Sequence, residues 1–184
     1  VADLNDVVSD IVKTLGRIDI LVNNAGTIRR TPTVAFTEED WDDVLQINLK
    51  AAFFLSQSAA RATMSQGGGK IINIASMLSF QGGITVPSYT ASKSALAGVT
   101  RALANEWAQH KINVNAIAPG YMATDNTAAL RADPDRSKSI LSRIPAGRWG
   151  ILNDLQGVVV FLASAASDYM HGAIVPVDGG WLTC

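Results

Sequence analysis

The stretch GRIDILVNNAG, residues 16 to 26, leaves a glycine, runs through the apolar IDILVNN at 18 to 24, and stops on Asn23-Asn24-Ala25-Gly26. A short continuous apolar run closed by turn-forming residues is the mark of a strand covered on both faces, as in a parallel sheet. Upstream of it, Leu4, Val7, Val8, Ile11, Val12 and Leu15 recur on one helical face, which predicts a helix over 3 to 15 stopped by Gly16. Downstream, Thr37 followed by Glu38, Glu39 and Asp40 reads as an N-cap with an acidic first turn, and it predicts a helix to about Met64 that QGGGK breaks. KIINIAS at 70 to 76 and INVNAIAP at 112 to 119 repeat the buried-strand pattern, separated by a helix that Pro87 opens and that runs to about His110. Residues 121 to 148 hold two short helical stretches split by Asp133-Pro134 and read as an excursion from the core. A helix over 154 to 164 and the strand AIVPVDGG at 173 to 180 follow. This alternation predicts an α/β, doubly wound parallel sheet in a three-layer αβα arrangement, with right-handed crossovers.

Composition narrows the function classes. The 184 residues suffice for one domain, with 48% apolar and 17% charged residues and a net charge of -1, a balance without bias towards nucleic acid or an anionic membrane. A small-molecule partner is expected, with no nucleic acid and no membrane. Cys184 is the only cysteine, and His110 and His171 have no second ligand at a metal spacing, so neither a disulfide nor a metal site is expected and a reducing, cytoplasmic setting is. The apolar run GVVVFLASAA at 157 to 166 is half the roughly 20 residues a spanning helix needs. The chain begins at Val1, which leaves a removed targeting segment open.

In such sheets ligands lie beyond the carboxyl ends of the strands. That rule gathers Asn23 to Gly26, Ser76, and Pro119-Gly120 at one crevice. In PSYTASKSALAGVT, residues 87 to 100, Tyr89 and Lys93 stand four apart and share a helix face. Turned to the crevice, that face would put a phenol beside Ser76 with an ammonium behind it, and a nearby cation lowers a phenol's pKa into a useful range. The Ser76 hydroxyl could then fix a substrate oxygen. Asn48 falls on the apolar stripe of Trp41, Val44, Leu45, Ala52 and Leu55, so it is predicted buried, with either backbone or the site as its partner.

NNAG at 23 to 26, the INL segment containing Asn48, IINIAS ending in Ser76, YTASK from Tyr89 to Lys93, and INVNAIAPGYMAT at 112 to 124 resemble the short-chain dehydrogenase/reductase family, in order and along essentially the whole chain. The resemblance implies a Rossmann-type fold and a four-residue system: Tyr89 as general acid or base, Lys93 lowering its pKa and holding the nicotinamide ribose, Ser76 positioning the carbonyl, and Asn48 supporting a water. It also implies Asn23, Ala25 and Gly26 beside the cofactor, Pro119, Gly120 and Met122 along the nicotinamide, and Thr124 on its carboxamide. The segment from 121 to 148 corresponds to a substrate lid. Helix 37 to 64, helix 87 to 110 and the VDGGW segment resemble the contacts of a homotetramer.

Segments the wider family does not share, GTIRRT at 26 to 31, SMLSFQGG at 76 to 83, LRADPDRS at 130 to 137 and IPAGRWG at 144 to 150, resemble members that handle keto sugar acids. The implied reaction is hydride transfer between NAD, with NADP left open, and a keto or hydroxy sugar acid. Arg29, Arg30, Gln81, Arg131 and Arg148 are the residues expected near such a substrate, since arginine grips a planar carboxylate through paired hydrogen bonds. Alternatives are another reductase of the family, acting on 3-oxoacyl carriers or glucose, or a catalytically silent subunit with a role in oligomerisation. Family members open with a strand and a Gly-rich turn that holds the cofactor diphosphate. No such turn stands here, so the chain is expected to be an N-terminally truncated part of a longer enzyme, inactive alone.

Overall fold

A computed structural model describes residues 2 to 183. The readings that rest on Val1 and Cys184 lie outside the described residues. Helix α1, Ala2–Leu15, ends where Gly16 takes φ +83° and returns its N–H to the Val12 carbonyl, the glycine stop that the sequence predicts. Strand β1, Ile20–Asn23, pairs in parallel with β2, Gly69–Ile74, in the register Ile20 to Lys70 and Asn23 to Asn73. Strand β3, Ile112–Pro119, pairs with β2, and β4, Ile174–Val177, pairs with β3, giving a parallel sheet in the order β1-β2-β3-β4.

The two sheet faces are covered differently. Ile71 and Val114 pack with Ala60, Leu103, Ala104 and Trp107, residues of the helices α3, Ala52–Ser65, and α4, Pro87–Trp107. Ile72 and Ile117 point the other way and pack on Leu155, Val158, Val159 and Leu162 of α7, Asn153–Ala163. The connection from β3 to β4 therefore advances across the sheet in the same direction as its predecessors but over the opposite face. Its hand is opposite to theirs, so the uniform right-handed winding expected from the alternation does not hold.

The helix predicted over 37 to 64 forms with a break in its pitch. Thr37 caps α2, Glu38–Leu45, by accepting from the Asp40 N–H, a π-helical turn occupies Gln46–Ala51, and α3 continues from there. Asn113 and Asn115 on β3 are buried because they anchor a loop. Asn113 donates to the carbonyls of Asp168 and Met170, and Asn115 donates to Met170.

The excursion contains α5, Ala128–Ala132, and α6, Pro134–Leu141, split at Asp133 as predicted, with Asp133 accepting from the Arg136 N–H at 3.0 Å. It has its own apolar cluster, in which Met77, Ile140, Ile144 and Trp181 are buried and Tyr121 meets the rings of Trp149 and Trp181 edge-on. This cluster seats the excursion above the carboxyl ends of β2 and β3.

Candidate active site

Beyond the strand ends lies a cleft of about 390 Å³, between the loop after β1, the start of α4 and the excursion. Asn24, Gly26, Ser76, Tyr89, Lys93, Pro119 and Gly120 line it, so the three strand ends do converge. Ser76 ends its strand and caps a short 3-10 turn by accepting from the Leu78 N–H at 3.2 Å, which fixes its hydroxyl beside the cleft. The phenol of half-buried Tyr89 shares a hydrogen bond with that hydroxyl.

Lys93, one turn further along α4, is only 4% exposed. Its Nζ donates to the Ile74 carbonyl at 2.5 Å and stands 5.6 Å from the centroid of the Tyr89 ring. Burial pushes this ammonium down to about 8. Burial also raises the Tyr89 phenol above its ordinary value, while the Ser76 hydrogen bond and the charge of Arg30 act in the lowering direction. The sequence reading expected Lys93 to lower the phenol. Here the net direction is upward, and the cation that opposes the rise is Arg30.

Asn48 sits in the π-helical turn, 1% exposed, with both ends of its amide bonded. Its Oδ1 accepts from the Thr27 N–H at 2.8 Å, and its Nδ2 donates to the Thr27 carbonyl at 2.9 Å and to Ser92 Oγ at 3.1 Å. Ser92 in turn donates to the Tyr89 carbonyl. The amide thus ties the loop after β1 to the helix that carries Tyr89, which is the backbone partnership rather than a direct place in the cleft.

A family model described as enoyl-(acyl carrier protein) reductase matches residues 1–182. Among curated proteins, the 2-dehydro-3-deoxy-D-gluconate 5-dehydrogenase of Dickeya dadantii is 65% identical, over 98% of this chain and 74% of its own length. The chain belongs to the short-chain dehydrogenase/reductase family. Among solved structures of this family, a protein assigned as a 2-deoxy-D-gluconate 3-dehydrogenase from Agrobacterium tumefaciens, with NADP bound, superposes with a TM-score of 0.89 at 63% identity, over 91% of this chain and 68% of that one. A gluconate 5-dehydrogenase from Burkholderia cenocepacia, in complex with NADP and tartrate, superposes with a TM-score of 0.97 at 40% identity, over 100% of this chain and 72% of that one.

Not every expected residue of this short-chain dehydrogenase/reductase reaches the cleft. Met122, Thr124, Gln81 and Arg30 line it. The Asn23 side chain turns under α3 and donates to Ser56 Oγ and Asn73 Oδ1, because alternation along β1 sends Asn23 and Asn24 to opposite faces. Ala25 is exposed outside the lining. Arg29 pairs with Asp40 and Asp43, and Arg148 places both terminal nitrogens on Asp154. Arg131 donates to the Thr124 carbonyl at 3.2 Å and stays outside the cleft. Two cations absent from the expected set do line it, Arg136 of α6 and Arg143, whose guanidinium lies 4.0 Å over the Trp181 ring. The only sequence signal for them was the concentration of arginine in the excursion.

Proposed function

We propose that this chain, as part of an enzyme of its relatives' length and not alone, interconverts a secondary alcohol and a ketone on a keto-deoxy sugar acid, of the kind named in its Dickeya relative, with hydride exchanged at a nicotinamide nucleotide. The observation that carries this reading is the lining of one cleft. Ser76 and Tyr89 share a hydrogen bond there, Lys93 is buried behind them, and every charged residue of the lining is a cation, namely Arg30, Lys93, Arg136 and Arg143. A cleft with four cations and no carboxylate, in a chain of net charge -1, favours an anionic ligand.

The nucleotide would supply the acceptor or donor of hydride when bound. The residues fit a flat ring. A Cβ at Gly26 would stand 3.3 Å from Asn48 Oδ1 and 3.8 Å from Lys93 Nζ, so glycine there leaves a smooth surface beside the ammonium. Gly26, Pro119, Gly120, Met122 and Thr124 would hold the nicotinamide end, with Lys93 towards the ribose. In the oxidising direction Tyr89 Oη takes the hydroxyl proton, and in reduction it returns that proton to the carbonyl oxygen. Ser76 donates to the same substrate oxygen. The charge of Arg30 favours the phenolate, Lys93 lies buried behind the phenol, and Asn48 acts at one remove by holding Thr27 and α4 in place. The excursion from 121 to 148 acts as a lid within one domain. NADP has the support of solved relatives that hold it, whereas NAD rests on resemblance. The homotetramer rests on the resemblance of helix 37 to 64, helix 87 to 110 and the VDGGW segment, and the cytoplasm on the reducing setting read from the cysteine content. Among the described residues no helix is long and apolar enough to cross a membrane.

Steady-state assays of the enzyme at the full length of its relatives, on keto-deoxy sugar acids and their carboxamides with each nucleotide, test the reading. Turnover of the acids is expected, preferred by on the order of 1.5 to 3 kcal/mol as for a charged hydrogen bond. No turnover, or equal rates on acid and amide, would overturn it.

A further inference from the structure

We infer that Arg136, in the first turn of α6, binds the substrate carboxylate and thereby selects acids over neutral sugars; this rests on the sugar-acid reading above. The other arginines are spoken for. Arg29 and Arg148 are paired with carboxylates outside the cleft, and Arg131 is bonded to the Thr124 carbonyl and to Thr127 Oγ1. Arg143 lines the cleft with its guanidinium stacked on Trp181. Arg30 also lines it, but its charge acts on the Tyr89 phenol and its Nη2 reaches the Asn126 carbonyl at 3.4 Å.

The charge acting on the phenol separates the two remaining roles. In a six-carbon acid that reacts at C5, the carboxyl carbon lies about 5 Å from the reacting carbon, four C–C bonds of ~1.5 Å in zigzag. The reacting carbon belongs beside the phenol, where the charge of Arg30 acts. A carboxylate seated on Arg30 would cancel the positive potential that favours proton release from Tyr89. The carboxylate therefore belongs on the lid side. There Arg136, an exposed residue, forms part of the lining, and among the described residues no carboxylate lies within ion-pair distance of it. The Asp133 cap holds the Arg136 N–H and so fixes where the side chain leaves the helix. The planar fork of a guanidinium matches both carboxylate oxygens, which a lysine's point charge does not.

The test is isothermal titration of the enzyme saturated with reduced nucleotide, using D-gluconate and D-gluconamide as non-turning-over probes. The wild type should bind the acid roughly 10- to 100-fold more tightly than the amide. Arg136→Gln should bring that ratio close to one while leaving amide affinity within about twofold, and Arg136→Lys should restore part of it. Circular dichroism confirms that each variant is folded. Retention of the ratio in Arg136→Gln, or its loss in Arg143→Gln or Arg30→Gln instead, overturns the assignment while leaving the sugar-acid reading intact. Absence of any acid preference in the wild type overturns both.

Discussion

Lys93, on the floor of the cleft, and Asn48, beneath that floor, are 4% and 1% exposed and bond the backbone of Ile74 and Thr27, whereas Arg136, on the excursion above, is exposed and lines the cleft from a helix of eight residues. The floor is held by the sheet and by α4, whose packing fixes each side chain. The excursion is held by a small apolar cluster of its own around Trp181. Groups that exchange protons sit where geometry is over-determined, and groups that recognise charge sit where only a side chain needs to reach. Changes to the floor should therefore strike turnover or folding, while changes around the rim should move preference or nothing.

The largest effect is expected on the floor. Tyr89→Phe keeps the ring and removes the exchangeable proton, so turnover should drop by roughly 10²- to 10⁴-fold with nucleotide affinity within a few-fold. Stopped-flow and equilibrium titration together check this. Substantial residual turnover would move proton transfer away from Tyr89 and dissolve the contrast between floor and rim.

Lys93 sharpens the contrast through stability. Burial holds its folded-state pKa at about 8, below the ordinary 10.5, so between those values the unfolded chain binds more protons and stability rises with pH. The cost of holding the ammonium below pH 8 is about 3 kcal/mol, recovered as pH approaches 10. Tyr89 is shifted the other way. Its raised pKa leaves its contribution constant below about pH 10 and withdraws it above, so the window from 8 to 10 reports Lys93. Urea denaturation across that window should show stability rising in the wild type and flat in Lys93→Met. Parallel profiles would mean that Lys93 is not desolvated.

The smallest effect is expected at Arg29. It is paired with Asp40 and Asp43 and donates to Thr27 Oγ1, outside the cleft. Arg29→Ala should leave the acid-over-amide preference within about twofold, since half-exposed ion pairs contribute little. A collapse of that preference would place the recognition of charge on the β1 loop and break the division drawn above.

What could be read from the sequence follows the same division. Ser76, Tyr89 and Lys93 were legible because a strand end and a spacing of four on a helix are local rules with fixed directions. INVNAIAP was legible as a strand from end to end, although Asn113 and Asn115 give no sign in sequence that a distant loop satisfies them. Asn23 was misplaced because NNAG was read as a unit, while the pleat sends adjacent residues to opposite faces. The reversed crossover was illegible because α7 has no mark that tells one sheet face from the other. Arg136 was passed over for a similar reason. Where a guanidinium on a short helix points is decided by how the excursion seats on Trp181, a contact between parts of the chain far apart in sequence.

The π-helical turn at Gln46–Ala51 also interrupts the regular ladder of the helix from 38 to 65. Such a turn carries one residue more than the regular ladder accommodates, and each residue rotates the chain by about 100°. Excising a single residue there would give a designer a more regular helix, with every i to i-4 bond restored. It would also swing Asn48 off the Thr27 backbone and untie the β1 loop from α4. The irregularity is a phase-setting insertion, so automated idealisation of this helix would improve its ladder at the expense of the cleft it positions.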